Sequence, residues 1–353
     1  MRDTLIVRLP NWLGDTVMAV PALRALRAGK PDARIALVGP WATVLAGQGL
    51  ADVLVPYARS WSGRLSRWDE VRALGASVAI LLPNSFESAL AAWYWKASRR
   101  VGFDAGGRGL LLTDALPMPA PRAHQVDEYA LIVERLDLEV GDRVPRLTRP
   151  RGGSPERETV RRRLDDAGAA RNGHALVGIH LGAEYGPSKL WPEERIADLC
   201  RELTARGEIA LLLGAGDALD AAERLTRTTP AKSLVGRDSP DLLPALLSEV
   251  DALVCGDTGV GHLASALGTP VVALFGPTDP RLSAPRGPVS RVLTHPVPCA
   301  PCFYRACPIE HPCLRGITAD HVCDALDSLG GVTRTAPAQP GRDANRGVWG
   351  ARG

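Results

Sequence analysis

The sequence predicts an α/β protein made of two parallel-sheet domains with a cleft between them. Each half of the chain alternates short apolar runs with amphipathic stretches, which is the pattern of strands joined by crossover helices. A segment rich in Pro, Gly and Arg, residues 145–156, lies between the halves and predicts a linker. A chain of 353 residues also suits two cores of ordinary size better than one.

The N-terminal half contains three apolar runs that predict strands, at residues 4–9, 33–39 and 78–83. Between the first two, apolar residues recur at helical spacing from Val17 to Leu26, which predicts a single helix over residues 16–29. These elements define a predicted N-terminal domain, residues 1–150.

The C-terminal half, residues 157–330, repeats the pattern. The predicted strands are residues 175–182, 209–216, 233–236, 252–257 and 270–276. The predicted helices are residues 192–206, 217–227, 240–248, 258–267 and 317–329, the last with Thr318 as its N-cap. Residues 331–353 are rich in Gly, Pro and Arg without periodicity, and they predict a disordered tail.

Composition excludes several classes of function. The chain is 45% hydrophobic and 23% charged, as expected of a soluble globular protein. No apolar run approaches the ~20 residues that span a bilayer, and Arg8 and Pro10 interrupt the apolar N-terminus, so we expect a cytoplasmic protein that touches at most one membrane face. A net charge of +3 is too small to imply a nucleic-acid partner.

Three motifs follow predicted strands: residues 8–27, 181–194 and 256–280. Ligands bind at the carboxyl ends of parallel strands, so we expect these motifs to meet at one cleft. Asp15 is either a general base or an ordinary helix cap. Lys189 either contacts an anion or is a solvated surface lysine. Thr258 and Gly259 open a helix whose free N–H groups favour an anion, although Asp257 and Thr258 also suit plain capping roles.

Together these motifs resemble those of glycosyltransferase family 9, the ADP-heptose:lipopolysaccharide heptosyltransferases. The similar stretches are LGDTVMAVPAL at residues 13–23, LPNSFESAL at 82–90, GAEYGPSKLWP at 182–192 and the motif at 256–280. The resemblance implies a GT-B fold, an inverting mechanism and no cofactor or catalytic metal. It implies ADP-L-glycero-D-manno-heptose as donor, Kdo-lipid A or heptosyl-Kdo-lipid A as acceptor, and peripheral contact with the inner face of the cytoplasmic membrane.

The same resemblance implies roles for individual residues. Asp15 matches the candidate catalytic base, and Lys189 matches the lysine that meets the donor diphosphate and assists catalysis. The residues that match the donor loop are Asp257, Thr258, Gly259 and His262. Gly214 matches the turn beside the donor nucleoside, but the acidic residue expected after Gly-Ala is replaced by Gly216, with Asp217 next.

Basic residues cluster in the N-terminal half and could meet an acidic acceptor, although a solvated face explains them equally well. The predicted acceptor-binding residues are Arg59, Arg64, Arg99, Arg100 and Asn84.

A cysteine cluster near the end has the spacing C-x₂-C-x₄-C-x₅-C and comprises Cys299, Cys302, Cys307 and Cys313. Four thiolates match a closed structural zinc site, with His295 and His311 as substitute ligands, while free thiols in a loop remain the alternative.

Two other classes of function stay open on the sequence alone. A nucleotide-sugar epimerase could use the same architecture without a lipid acceptor. An interaction module could retain an inactive sugar-nucleotide domain.

Overall fold

The computed structural model describes residues 3–58, 60–237 and 239–330. Arg59 and the predicted tail, residues 331–353, lie outside this part of the chain. Within the described residues, no helix is both long and apolar enough to cross a membrane.

The first half of the chain forms a six-stranded parallel sheet with the order β3-β2-β1-β4-β5-β6. Its strands are β1 (Thr4–Arg8), β2 (Arg34–Gly39), β3 (Val53–Pro56), β4 (Val78–Leu81), β5 (Arg99–Asp104) and β6 (Asp114–Pro117). The central strand β1 is buried along its whole length, as its apolar sequence predicts. In register, Ile6 pairs with Ala36 on one side and with Ala79 on the other.

The helices of this half cover the two faces of the sheet. They are α1 (Leu13–Met18), α2 (Val20–Gly29), α3 (Trp61–Leu65), α4 (Trp68–Arg72), α5 (Phe86–Tyr94) and α6 (Gln125–Glu134). The prediction of one helix over residues 16–29 is wrong, because the chain breaks at Ala19 and restarts with Pro21 in the first turn of α2. A proline ring fits a first turn but not a helix interior, so this residue marks a new start.

A helix, α7 (Pro155–Asp166), leads into a second six-stranded parallel sheet. The strands are β7 (Leu176–His180), β8 (Ile209–Leu213), β9 (Lys232–Ser233), β10 (Ala252–Gly256), β11 (Val271–Phe275) and β12 (Ser290–Thr294). The helices are α8 (Glu193–Ala205), α9 (Leu219–Thr228), α10 (Leu243–Glu249), α11 (Gly259–Ala266), α12 (Pro280–Ser283), α13 (Pro312–Arg315) and α14 (Ala319–Ser328).

The predicted strand at residues 233–236 is wrong in extent. The ladder covers only Lys232–Ser233, and the chain then turns through Gly236, whose φ of 72° lies in the left-handed region that favours glycine. The predicted cap of the closing helix is confirmed: the Thr318 hydroxyl accepts a hydrogen bond from the backbone N–H of His321.

Both sheets have the same strand order. The second sheet runs β12-β11-β10-β7-β8-β9, which repeats the order of the first when its strands are numbered from β7. In each sheet the chain reverses its direction of winding between the first and fourth strands, β1 and β4 or β7 and β10. Open parallel sheets leave a crevice at this switch point, outside the carboxyl ends of the strands.

One apolar cluster joins the two halves of the molecule. It contains Leu13 and Val17 of α1 together with Leu263 of α11 and Leu243 of α10, all of them buried. Helix α1 therefore packs directly on α11, so the loops after β1 and β10 lie against each other.

A candidate active site in the interdomain cleft

A cleft of about 860 Å³ lies between the two sheets. It is lined from the N-terminal half by the loop after β1 and by α1, and from the C-terminal half by the loops after β7, β8 and β10. The side chains of Asp15, Lys189, Asp257, Thr258 and His262 all belong to this lining. The three sequence motifs thus meet at one site, as their positions after strands predict.

Asp15 lies in the first turn of α1, and its carboxyl group lines the cleft. The N-cap of α1 is Trp12, so the alternative that Asp15 itself caps the helix is wrong. Burial and the nearby Asp257 carboxylate raise the pKa of Asp15 to about 6, while the Lys189 ammonium acts in the opposite direction. A carboxylate with this pKa holds its charge at neutral pH and is a stronger base than an exposed aspartate.

Lys189 lies at the end of a 3₁₀ turn, Pro187–Lys189, between β7 and α8. Its Nζ is 2.5 Å from Oδ2 of Asp257 and 4.5 Å from the centre of the Tyr185 ring. The side chain is only 11% exposed, so the alternative of a solvated surface lysine is wrong. The second partner of that Asp257 oxygen is the Thr278 hydroxyl, which donates to it at 2.8 Å. These bonds fix the ammonium at the edge of the cleft.

Thr258 is the N-cap residue of α11, and its hydroxyl makes no capping hydrogen bond to the helix. Gly259 and Val260, the first residues of α11, line the cleft, and no side chain caps their end of the helix. The helix dipole adds positive potential there. An anionic group of a ligand is favoured at this position.

His262 packs where the two halves of the molecule touch. Burial is the main reason why the pKa of His262 falls to about 4, so its ring is neutral. A Cβ atom added to Gly14 would lie 2.9 Å from Cδ2 of His262, and one added to Gly259 would lie 2.7 Å from the Gly14 nitrogen. Glycine at both positions lets α1 and α11 approach this closely.

Gly214 follows β8, but it does not itself line the cleft; its neighbours Ala215, Gly216 and Asp217 do. The exposed Asp217 faces the same cavity as His180, the last residue of β7. Burial lowers the pKa of His180 to about 4, against the nearby Asp217 carboxylate, so this imidazole is neutral.

The cleft also contains residues that sequence reasoning missed, namely His180, Tyr185, Trp12 and Trp41. A histidine that ends an apolar strand was a usable signal for His180, because that position opens onto the carboxyl edge of the sheet. Trp12 and Trp41 follow β1 and β2, and the same rule applies to them.

The predicted acceptor-binding residues occupy two different places. Asn84 follows β4, and its Oδ1 accepts a hydrogen bond from Arg108 at 3.3 Å. Arg64 lies on α3, where its guanidinium contacts Glu87 at 3.3 Å. Both lie near the cleft edge of the sheet, although neither lines the cavity.

Arg99 and Arg100 begin β5 and therefore lie at the amino edge of the sheet, opposite the cleft. Arg99 is bonded to Asp114 at 2.6 Å, and Arg100 donates to the carbonyl oxygens of Ala97 and Leu111. The structure does not bring these two arginines together with Asp15.

The cysteine cluster lies in the segment between β12 and α14, here called the cysteine loop, and its last member, Cys313, is on the short helix α13. Burial, together with the thiols of Cys299 and Cys307, raises the pKa of Cys313. The sulfur of Cys307 accepts a hydrogen bond from the His311 backbone N–H at 3.2 Å. In the part of the chain that the structure describes, no group of three or more His, Cys, Asp or Glu side chains is arranged to hold a metal ion.

Comparison with known proteins gives a consistent result. The model of glycosyltransferase family 9 (heptosyltransferase) matches residues 64–312, more than half of the chain. The lipopolysaccharide heptosyltransferase 2 of Salmonella typhimurium is 29% identical over 312 residues, which are 82% of this chain and 87% of that protein. The lipooligosaccharide heptosyltransferase 2 of Haemophilus influenzae is 26% identical, over 78% of this chain and 84% of its own length.

Solved structures agree in fold. The E. coli ADP-heptose lipopolysaccharide heptosyltransferase II has a TM-score of 0.77 and 25% identity, and the match covers 93% of this chain and 98% of that one. A family 9 glycosyl transferase from Veillonella parvula also has a TM-score of 0.77, at 20% identity. The two-sheet architecture is the GT-B fold of these enzymes. The chain therefore belongs to glycosyltransferase family 9, the heptosyltransferases.

Proposed function

We propose that this glycosyltransferase transfers heptose from ADP-heptose to the inner core of lipopolysaccharide, in the manner of heptosyltransferase II. The names of its relatives support this donor and this class of acceptor. The observation that carries the proposal is the meeting of Asp15, from the first half, with Lys189 and the α11 N-terminus, from the second, in one cleft. A base is thereby placed opposite an anion site, as sugar transfer from a nucleotide requires.

The two halves of the chain divide the substrates. Residues 157–330 bind the donor, with the diphosphate at Lys189 and the N–H groups of α11 and the heptose near Asp257, Thr258 and His262. The nucleoside lies beyond them, near Gly214 and Asp217. Residues 1–150 bind the acceptor, with its reacting hydroxyl beside Asp15.

The reaction proceeds by inversion in a single displacement. The Asp15 carboxylate takes the proton of an acceptor hydroxyl while that oxygen attacks the anomeric carbon of heptose from the face opposite the diphosphate. The bond from the anomeric carbon to the diphosphate oxygen breaks, and ADP leaves with the electron pair. Lys189 and the N–H groups near Gly259 stabilise the negative charge that develops on ADP, so a metal ion is not needed for this step.

The acceptor is Kdo-lipid A or its heptosylated form, and the enzyme works in the cytoplasm in peripheral contact with the inner face of the membrane. Arg64 and Asn84 are the predicted acceptor residues that lie on the correct edge of the sheet, and Arg59 remains a prediction from sequence. Because Arg99 and Arg100 lie on the opposite edge, we do not assign them to the acceptor site.

The spacing of the four cysteines predicts one structural zinc ion, with free thiols as the alternative. Among the residues that the structure describes, no three of these side chains are arranged to hold an ion, so this prediction rests on the sequence spacing alone. A site closed by four thiolates leaves no open coordination position, so the zinc would take no part in the chemistry.

One assay tests the function and separates it from the alternatives. Purified protein is incubated with ADP-heptose, with and without Kdo-lipid A or heptosyl-Kdo-lipid A, in the presence of a chelator of free divalent ions. We expect ADP release that depends on acceptor, and a rate ~10²–10⁴-fold lower for Asp15→Asn, with donor affinity unchanged within a few-fold. Conversion of the donor without acceptor would identify an epimerase. Donor binding without turnover would identify an inactive module, and loss of the rate in chelator would contradict the metal-free step.

A further inference from the structure

The exposed side of α5 is unusually apolar. Phe86, Leu90 and Trp93 recur at i, i+4 and i+7 and therefore share one stripe of the helix. Phe86 and Trp93 are more than half exposed, and Leu90 is half-buried. Surface helices normally place polar side chains on such a stripe.

Two neighbouring segments extend this stripe into a larger surface. Helix α3 presents Trp61 and Leu65 to solvent, and the short turn at residues 109–111 presents Leu110, which is 97% exposed. The ring of Trp61 stacks edge-on against Trp68, which in turn contacts Tyr94 of α5. The turn at residues 109–111 contacts α5 as well. We call Trp61, Leu65, Phe86, Leu90, Trp93 and Leu110 the aromatic face.

Basic side chains flank the aromatic face along α5. The Arg72 guanidinium lies 5.2 Å from the centre of the Tyr94 ring. The nearby carboxylates are bonded locally: Asp69 accepts the Tyr94 hydroxyl at 2.5 Å, and Glu70 pairs with Arg67 at 2.6 Å. Lys96, just beyond α5, is exposed. The partner of this surface should therefore have an apolar interior that accepts the aromatic rings. It should carry negative charge where it meets the basic side chains.

The Phe86 end of the aromatic face lies at the sheet edge that carries Asp15. Phe86 is the first residue of α5, and α5 follows β4, whose carboxyl end belongs to the same sheet edge as that of β1. A flat partner held on this face would thus reach the acceptor side of the cleft at its Phe86 end. Tryptophan and tyrosine with flanking basic residues are the side chains that suit the interface between lipid and water.

We propose that the aromatic face docks the enzyme on a bilayer surface that carries anionic lipid headgroups. This inference rests on the proposed function, because it supplies the surface from which a lipid-linked acceptor would enter the cleft. Binding to the bilayer itself requires no acceptor molecule, so it can be measured separately from sugar transfer. Tryptophan and phenylalanine enter the headgroup region, and Arg72 and Lys96 contact lipid phosphates.

The test measures sedimentation of the full chain with vesicles that lack any acceptor. One set of vesicles contains phosphatidylethanolamine with a minority of phosphatidylglycerol, and the other contains phosphatidylcholine alone. We compare wild type with Phe86→Ser/Trp93→Ser and with Ile309→Ser. Ile309 is a matched control, because it is 58% exposed, as Trp93 is 56% exposed, but lies in the cysteine loop of the other domain.

We expect wild type and Ile309→Ser to bind the anionic vesicles equally, and the double variant to bind them at least about tenfold more weakly, since each buried ring is worth that factor or more. Binding should fall with added salt and on phosphatidylcholine. Equal binding by the double variant and wild type would overturn the proposal. So would a wild-type dimer in vesicle-free solution that the double variant loses, because the face would then pair two copies of this chain.

A second readout separates this proposal from the proposed function. The double variant should keep the wild-type rate of transfer to a short, water-soluble acceptor fragment, which also shows that it is folded. If the wild type itself transfers nothing to that fragment, the proposed function fails while the vesicle result stands on its own. If the double variant binds vesicles normally but transfers poorly, the aromatic face is part of the acceptor site and the docking proposal is wrong.

Discussion

At the scale of single residues, the chemistry depends on the charge around Asp15. Its pKa is raised to about 6, mainly by burial and also by the Asp257 carboxylate, while the Lys189 ammonium acts in the opposite direction. Since Asp257 and Lys189 are bonded to each other at 2.5 Å, their opposite effects on Asp15 come from one small cluster. A raised carboxyl pKa means that the base is protonated, and so inactive, when the pH falls below about 6.

This arrangement predicts opposite changes in the pH profile of kcat/KM. The wild-type rate should fall as the pH decreases through about 6, the pKa of Asp15. Lys189→Ala removes the charge that lowers this pKa, so the acid limb should move to higher pH. Asp257→Asn removes a repelling carboxylate, so the limb should move to lower pH. Both variants should also turn over more slowly, about 10²-fold for the lysine, which faces the leaving group.

The control for these variants is Lys232→Ala, because Lys232 is an exposed lysine of β9 outside the cleft. Its profile should match that of the wild type. Acid limbs that move in the same direction in Lys189→Ala and Asp257→Asn would show that Asp15 is not the group that titrates.

At the scale of elements, the contact of α1 with α11 depends on two glycines. A Cβ atom at position 259 would lie 2.7 Å from the Gly14 nitrogen and 2.8 Å from Cβ of Leu13, distances that real Cβ atoms do not reach. One of the two helices must therefore move if Gly259 acquires a side chain. Because α1 carries Asp15 and α11 opens the anion site, such a shift separates the base from the donor.

We predict that Gly259→Ala lowers kcat by about 10²-fold, the usual effect of misplacing reacting groups by an ångström. Gly141→Ala is the matched control, because a Cβ there meets nothing within 4 Å. Far-ultraviolet circular dichroism should show both variants folded. Normal turnover by Gly259→Ala would mean that the two helices do not need this close approach during catalysis.

The cysteine loop allows a second prediction at this scale. If a zinc ion orders the loop, Cys302→Ser should remove one equivalent of zinc and lower the melting temperature by at least about 5 °C while leaving KM for the donor unchanged. Cys302 is partly exposed, so without a metal the change from thiol to hydroxyl would alter stability little. Cys323→Ser, outside the cluster, should keep its zinc. Wild-type protein purified without zinc would leave free thiols as the better description.

How much of the structure follows from sequence also differs among elements. The strands β1, β2, β4, β7, β8, β10 and β11 were predictable because buried parallel strands are continuous apolar runs. Strands β5 and β6 were not, since β5 begins with two arginines and β6 is a four-residue edge strand that ends in proline. Without β5, the sequence could not show that Arg99 and Arg100 lie on the edge away from the cleft.

The same reasoning explains which residues of the cleft were predictable. Asp15, Lys189 and Asp257 were predictable because each follows a recognisable strand. His180 and the pairing of Lys189 with Asp257 were not, because burial and contacts between distant loops decide both of them. A sequence motif gives the edge of the sheet on which a residue lies, but not the neighbours that set its pKa.

At the scale of the whole molecule, polar contacts between the domains accompany the apolar contact of α1 with α11. The Arg286 guanidinium, which follows α12, binds both oxygens of Asp127 on α6, at 2.9 and 2.6 Å. His124 caps α6 with Nδ1, so Nε2 carries the proton and donates to the Ala284 carbonyl at 3.0 Å. Arg286 is the main reason why the pKa of Asp127 is lowered, so the carboxylate is charged at neutral pH.

We predict that Arg286→Ala lowers turnover several-fold by loosening the two domains, although no atom of Arg286 lines the cleft. Arg143→Ala is the control, because Arg143 binds the same Asp127 carboxylate at 3.1 Å but pairs otherwise with Glu134, also on α6. Both variants lose one charged partner of Asp127, and each should cost about 1 kcal/mol of stability. Only the loss of Arg286 should increase the radius of gyration in solution scattering and reduce the rate. Equal rates in the two variants would show that this ion pair stabilises the fold without holding the domains in their catalytic arrangement.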